Sequence, residues 1–194
     1  MNKKILAAIS VLVLVSSGAW AATYKVDPDH STVSFKIKHL LSKVQGRFNK
    51  FEGTIDYEPG SPEVWKAAGT IDTSSIDTNN EPRDKHLRGP DFFDVGKYPA
   101  IEFRSTGLKD VSETTAKVEG ILKMHGVEKP VALDAEILGV SNDPWGNVRA
   151  AFTASTKINR KDFGITWNEA LETGGLLLGE DVDVTLDIEA IEQK

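Results

Sequence analysis

Apolar and polar residues alternate through most of this chain, and this alternation limits the folds open to it. Between Val182 and Ile188, every second residue is Val, Leu or Ile, and the residues between them are Asp or Thr. Strict alternation of this kind predicts a β-strand with one buried face and one wet face. Similar runs recur about eight times, around positions 33–37, 51–57, 67–72, 101–104, 116–124, 131–137, 148–155 and 182–189.

About eight strands with one charged face predict an all-β protein built from antiparallel sheet. Turn-like residues such as Glu58-Pro59-Gly60 separate the runs. Eight strands can close into a barrel whose interior holds side chains or one small ligand, and a β-sandwich is the alternative. No internal repeat and no compositional break suggests a second domain, so residues 22–194 are predicted to form a single domain.

The first 21 residues resemble a cleavable export signal. Lys3 and Lys4 precede an apolar run, Ile5–Val15, and Ala19-Trp20-Ala21 supplies a small-x-small cleavage site. The apolar run is short for a membrane span, so we expect a signal peptide at 1–21 and a periplasmic mature protein without stable membrane insertion.

Charge and cysteine usage exclude several classes of function. The formal net charge is −6 at pH 7, and loss of Lys3 and Lys4 with the signal would make it two units more negative. Such an acidic protein is poorly suited to binding nucleic acid or an anionic membrane through bulk charge. The chain has no Cys, which excludes thiolate catalysis and Cys-ligated zinc.

One long segment, residues 83–99, interrupts the alternation. Asn80 can cap a helix with Pro82 in its first turn, and Gly89-Pro90 can end it, so we expect a short helical insert near 81–95. The insert concentrates polar and aromatic side chains: Arg83, Asp84, His86, Phe92 and Phe93. Long irregular connections in compact β domains are often lids or binding loops.

A second irregular segment, residues 159–167, carries Arg160, Asp162, Phe163 and Trp167. Arg160 and Asp162 could form a simple surface ion pair. Alternatively, together with the aromatic residues, they could lie at a pocket mouth where Arg offers a planar fork to a polar ligand head.

Residues that could carry catalysis or hold a metal are scarce. His39 continues an inward face, either as a hydrogen-bonded core residue or as a polar group deep in a pocket, and His86 is the best functional candidate among the four His. No two His have the spacing of a metal motif, and no carboxylate pair or nucleophile elbow stands out. The sequence therefore predicts neither a catalytic residue nor a metal site nor a cofactor.

Several motifs, in order along the chain, resemble one bacterial family. They are Asp27-Pro-Asp-His-Ser-x-Val-x-Phe-x-Ile-x-His39, Gly69-Thr-Ile-Asp-x-Ser-Ser-Ile-Asp-Thr-Asn-Asn80, Arg83-Asp-x-His-Leu87, Phe92-Phe-Asp94, Tyr98-Pro99 and Arg160-x-Asp-Phe-Gly164 with Trp167. Together they are similar to the YceI-like family of periplasmic polyisoprenoid-binding proteins over essentially the whole mature chain.

This resemblance implies a lipocalin-like, eight-stranded antiparallel barrel over residues 22–194 that encloses an isoprenoid or fatty-chain lipid. With the inward alternation, it predicts a ligand-binding lining of Phe35, Ile37, His39, Phe103, Leu122, Met124 and Phe152. It also predicts a mouth formed by Arg83, Asp84, His86, Phe92, Phe93, Arg160, Asp162, Phe163 and Trp167.

Three functions remain open at this stage. The first is a periplasmic lipid carrier or sequestering protein with an apolar lipid as its ligand. The second is an enzyme acting on a lipid or lipid head group, with Arg83, Asp84 and His86 as acid–base groups. The third is an interaction module with a solid core. The mouth residues could also simply brace the insert by paired charges, and the sequence leaves open whether the protein forms a homodimer.

Overall fold

The computed structural model describes residues 21–172 and 174–194, so the predicted signal peptide lies, except for Ala21, outside the described residues. Within these ranges the chain forms eleven β segments and one α-helix. The segments are β1 Ala22–Val26, β2 Thr32–His39, β3 Ser42–Phe48, β4 Phe51–Tyr57, β5 Lys66–Asp72, β6 Ile76–Asp77, β7 Ala100–Lys109, β8 Thr115–Met124, β9 Val127–Asn142, β10 Val148–Asn159 and β11 Leu178–Glu192, and the helix is α1 Glu81–Arg88.

The eleven segments make eight barrel strands, because three strands are interrupted once each. A 3-10 turn at Pro28–His30 divides β1 from β2, and both pair with β11. Asn49 and Lys50 divide β3 from β4, which pair with β2 and β1. A second 3-10 turn at Thr73–Ser75 divides β5 from β6, which pair with β4 and β3. In each case the two segments on either side of the interruption pair with the same neighbouring strands, so they count as one barrel strand.

The barrel closes between its first and last strands. Tyr24 pairs with Glu192 and Val26 with Ala190, while β2 continues along the same strand, β11. All strand pairings are antiparallel, including the closure. Apart from the closure, each barrel strand pairs with the strand next to it in sequence order. The expected eight-stranded antiparallel, lipocalin-like barrel with one short helix is therefore confirmed, and the β-sandwich is excluded.

The strands on one side are long, which makes the barrel tall. β9 has 16 residues and β11 has 15, against about five or six in an average strand. At about 3.3 Å per residue, β11 extends roughly 50 Å along its own direction.

Buried side chains form two clusters at opposite ends of this barrel. One cluster includes Ile76, Phe92 and Phe163 and lies beside the insert; we call this end the helical end. The other is built around Tyr24 and Tyr57, and we call it the far end. At the far end the Tyr57 ring contacts Trp65 and Phe152, with ring centroids 4.9 Å and 5.3 Å away.

The helix of the insert begins and ends where its capping residues predict. The Asn80 side chain accepts a hydrogen bond from the Arg83 N–H at 3.0 Å, and Pro82 lies in the first turn. The helix ends at Arg88, since Gly89 N–H bonds back to the His86 carbonyl and Pro90 cannot continue the ladder. The short helical insert near 81–95 is confirmed, with its helix stopping before Gly89-Pro90 as predicted and the residues after it mostly in turns.

No helix among the described residues has the length and apolar character needed to cross a bilayer.

Candidate functional site

An apolar cavity of about 470 Å³ lies inside the barrel. Its lining extends from Tyr57 and Trp65 at the far end to His39, Arg83 and Leu177 at the helical end. Almost all of the surface it presents is apolar. Its volume lies within the range of small-molecule sites, about 300–1,000 Å³.

The residues predicted to line a cavity do so. Alternation along each strand points them inward, and neighbouring strands bring them to one space. The structure places all seven in the cavity wall: Phe35, Ile37, His39, Phe103, Leu122, Met124 and Phe152. Their contact with a ligand stays a prediction.

Two glycines make room for aromatic rings within the wall. Gly46 pairs with Phe35 across β3 and β2, and a Cβ atom on Gly46 would collide with the Phe35 ring. A Cβ atom on Gly120 would collide in the same way with the Phe103 ring on β7. Because the rings lie over glycine, they occupy the wall rather than the middle of the barrel.

A row of alanines widens the interior further. Ala116 pairs with Ala135 across β8 and β9, and Ala135 pairs with Ala154 across β9 and β10. All three line the cavity. Each alanine falls on the inward face of its own strand, but only the register shows that they are adjacent. The sequence reading missed this row for that reason.

At the helical end, the two irregular segments meet through aromatic contacts. The His86 ring lies edge-on to Trp167 with centroids 4.9 Å apart, and the Phe92 ring lies 5.2 Å from Trp167. His86 Nε2 is 3.0 Å from Asp91 Oδ2, and the Phe93 ring packs edge-on against Phe48. His86, Phe92, Phe93 and Trp167 all line the cavity.

Arg83 and Asp84 are engaged in holding the insert. Arg83 Nε donates to Thr78 Oγ1 and its Nη2 to the Thr78 carbonyl, both at 2.7 Å. The buried Asp84 carboxylate accepts hydrogen bonds from the Thr78 N–H and hydroxyl. Arg83 lines the cavity, whereas Asp84 does not. This pair matches the bracing alternative, although its partner is Thr78 rather than Arg160 or Asp162.

The predicted site residues of the second irregular segment, 159–167, lie in three different environments: the cavity wall, the core and the surface. Arg160 is 4% exposed and lines the cavity, with Nε donating to the Gly179 carbonyl at 2.9 Å and Nη1 to the Ile165 carbonyl at 2.8 Å. Phe163 is 2% exposed in the core cluster, and Asp162 is exposed; neither lines the cavity. Arg160 and Asp162 form no ion pair in the described chain, so the surface-pair interpretation is wrong. We leave Asp84, Asp162 and Phe163 out of the candidate site.

Three consecutive leucines, residues 176–178, lie partly in the cavity wall. Leu177 and Leu178 line the cavity, while Leu176 is 49% exposed. The Leu40 N–H bonds to the Leu177 carbonyl at 3.0 Å, which ties this segment to the turn between β2 and β3. The segment therefore forms part of the wall at the helical end.

A charge network outside the cavity centres on Arg149. Its guanidinium bonds Asp143 Oδ2 and Asp27 Oδ2, each at 2.8 Å, and Glu189 Oε1 at 2.6 Å. The hydrogen bond from Arg149 holds the pKa of the Asp143 carboxyl well below its usual range. Asp27, His30 and Glu189 lie close enough together to suggest a metal site, but Arg149 already supplies their positive charge.

An eight-stranded meander barrel with an apolar cavity along its interior defines a lipocalin-like barrel. Within that class the chain belongs to the YceI-like family, whose domain model matches residues 24–190. A UPF0312 protein of Pseudomonas paraeruginosa is 41% identical over the full length of both chains. One of Vibrio cholerae is 40% identical, covering 84% of this chain and 89% of its own.

Solved structures show the same architecture. The Campylobacter jejuni YceI protein has 36% identity and a TM-score of 0.69, covering 82% of this chain and 91% of its own. Burkholderia cenocepacia BcnA superposes with a TM-score of 0.75 at 23% identity, covering 85% and 99%. A Saccharophagus degradans domain described as polyisoprenoid-binding superposes with a TM-score of 0.67 at 18% identity, covering 89% and 99%. At 23% and 18% identity, the last two likenesses concern the fold alone.

Proposed function

We propose that this protein binds the long apolar chain of a lipid, an isoprenoid or a fatty chain, inside its barrel and carries or sequesters it in the periplasm. The observation that supports this most directly is the apolar cavity of about 470 Å³ inside the barrel of a YceI-like protein. The Saccharophagus degradans relative described as polyisoprenoid-binding adds support from the same fold.

The energetics of burial suit this function. Each methylene removed from water contributes about 0.8 kcal/mol, so ten enclosed carbons would contribute about 8 kcal/mol before the cost of ordering the ligand. The wall that would provide this is made of Phe, Leu, Ile, Val and Ala side chains from every barrel strand. No reactive group is needed to shield an apolar chain from water.

The two rival functions fit the geometry less well. A solid interaction module would have filled this interior. An enzyme using Arg83, Asp84 and His86 would need these groups free to act on a substrate, yet Arg83 and Asp84 are both bound to Thr78, and His86 is paired with Asp91. We therefore propose a binding protein rather than an enzyme.

The periplasmic location rests on the N-terminal sequence. Lys3, Lys4 and the Ala19-Trp20-Ala21 triplet favour export with cleavage before Ala22. A compartment filled with water and bounded by two membranes is one in which a free apolar chain needs shielding.

Mass spectrometry of an organic extract from the natively purified protein tests the proposal. We expect a lipid with a long apolar chain at close to one molecule per protein. Extracts identical to those of an unrelated periplasmic protein purified in parallel, together with no uptake of added lipid, would contradict it.

A further inference from the structure

Three leucines at the helical end lie largely in solvent. Leu41 is fully exposed, and Leu40 and Leu176 are 42% and 49% exposed. They lie close together, because the Leu40 N–H donates to the carbonyl of Leu177 at 3.0 Å. We call these three residues the leucine tip. Single exposed apolar residues are common in soluble proteins, but a cluster of large ones marks a surface that contacts a partner.

The turn that carries two of these leucines gives no local reason for them. Leu40 and Leu41 form a two-residue hairpin loop between β2 and β3, since His39 pairs with Ser42. The φ of Leu40 is +52°, which is a left-handed conformation. Hairpin turns with positive φ favour Gly, Asn or Asp, which adopt it at low cost. Neither the conformation of the turn nor burial therefore accounts for leucine at these positions.

The hairpin behind the leucine tip is basic. Residues 32–48 contain no Asp or Glu and four basic residues, Lys36, Lys38, Lys43 and Arg47, although the whole chain has 29 Asp and Glu against 23 Lys and Arg. Lys38 pairs with Lys43 across β2 and β3, one residue pair from the turn. Lys43 is bonded to Asp183, whereas Lys38 is exposed and forms no ion pair in the part of the chain that the structure describes. The positive charge is confined to the hairpin, since the segment that carries Leu176 also carries Glu169 and Glu172.

We propose that the leucine tip docks reversibly on the surface of an anionic lipid bilayer, with its side chains among the acyl chains and Lys38 at the head groups. Apolar side chains that enter the bilayer beside Lys or Arg at the head groups are how proteins bind the membrane interface. The contact is local, so it is compatible with the net negative charge of the whole chain.

A bilayer fits the leucine tip better than a second copy of the chain does. Three leucines are too few to bury the roughly 800 Å² per partner that a stable protein interface requires. Two copies meeting through their tips would also bring two basic hairpins together, and like charges at an interface repel. Anionic head groups instead complement the charge of the hairpin.

The place of the leucine tip beside the cavity gives this contact a use. His39 precedes Leu40, Leu177 follows Leu176, and both line the cavity. A barrel docked through the tip would therefore meet the bilayer at the helical end of its cavity, with the far end directed away. The inference goes beyond the proposed function, because the surface contact does not require a lipid inside the barrel.

Co-sedimentation with lipid vesicles tests the inference on the natively purified protein. Anionic vesicles contain phosphatidylethanolamine and phosphatidylglycerol in a three-to-one ratio, and neutral vesicles contain phosphatidylcholine alone. We expect partition into both, stronger into the anionic vesicles and weakened there by salt. Leu41→Ser should lower the partition coefficient about 10- to 100-fold on both, because one leucine no longer enters the bilayer. Lys38→Gln should lower it about fivefold on the anionic vesicles alone.

Two variants at the far end are the matched controls. Leu138 is 58% exposed, and Lys25 is exposed on β1. Leu138→Ser and Lys25→Gln make the same chemical changes and should leave the partition coefficient unchanged. None of the four substituted residues lines the cavity, so every variant should still bind a fluorescent apolar probe in solution. All four side chains are exposed, and thermal melts verify that the variants fold.

The outcomes separate this inference from the proposed function. Absence of partition into either kind of vesicle overturns the docking, and so does an equal loss in Leu41→Ser and Leu138→Ser. A natural protein that dimerises, becomes monomeric in Leu41→Ser and ignores vesicles would assign the leucine tip to a second copy and overturn the inference as well. Failure of the natural protein to bind the probe in solution contradicts the proposed function alone, since partition into vesicles is measured separately.

Discussion

Narrowing the cavity at Ala154 is the sharpest test of whether the open interior is the binding site. Ala154 lines the cavity from β10, between Ala135 on β9 and Leu186 on β11. Ala154→Leu adds three carbons to that space, which a ligand chain must then vacate. At about 0.8 kcal/mol per methylene, the lost burial is about 2.4 kcal/mol, or roughly a 60-fold increase in Kd.

The same substitution should leave the ligand-free barrel at least as stable as before. The added carbons enter unfilled apolar space, so the free energy of unfolding should stay the same or rise. In a core that was already filled, overpacking would lower it by about 1–3 kcal/mol. Binding and stability are therefore expected to change independently.

The assay has two readouts on delipidated protein: displacement of a fluorescent apolar probe by palmitic acid, and urea unfolding. Ala132→Leu is the control, because Ala132 lies on the exposed outer face of β9 and is absent from the lining. It makes the same chemical change and should alter neither readout. Unchanged affinity in a folded Ala154→Leu, or a loss of 1–3 kcal/mol in its stability, would refute the reasoning.

Three further predictions concern export, the core and the charge network. N-terminal sequencing of protein recovered from the periplasm should begin at Ala22, and recovery of Met1 would contradict the signal peptide. Phe163→Ala should lower the free energy of unfolding in urea by about 3–5 kcal/mol, because the ring is 2% exposed in the core cluster, and a loss under 1 kcal/mol would show that the ring is not a core residue. The pKa of Asp143 is depressed in the folded state, so the unfolded state binds more protons as the pH falls below about 4, and the stability of the fold should fall there. Thermal melts between pH 3 and 7 should show a weaker dependence of stability on pH in Arg149→Met than in the natural protein. An equally steep dependence in the variant would exclude the Arg149–Asp143 pair as its source.

The fold could be predicted from local patterns because the direction of a side chain on a strand is a local property. Successive residues point to opposite faces, so alternation together with the family resemblance identified Phe35, Ile37, Phe103 and Leu122 as inward residues, all of which line the cavity. Asn80, Pro82 and Gly89 likewise placed the helix between them, since capping involves groups within a few residues of one another. The number of strands and the two irregular segments followed from the same kind of reading.

The open space inside the barrel could not be predicted from local patterns, because it depends on the register between strands distant in sequence. Ala116, Ala135 and Ala154 leave space only where three strands bring them side by side. Periodicity tells which face an alanine occupies, and not what lies opposite it.

The roles of the charged mouth residues were likewise decided by packing. Arg160 and Asp162 are two residues apart, yet one is buried against the cavity and the other is exposed. Asp84 is directed to Thr78 rather than to a ligand. Thus the chain itself determined about eight antiparallel strands with named inward residues, because strand direction is local, whereas their closure into a barrel depends on pairing between the first and last strands. The size of the cavity and the burial of Arg160 were set by contacts between segments far apart in sequence, which no local pattern records.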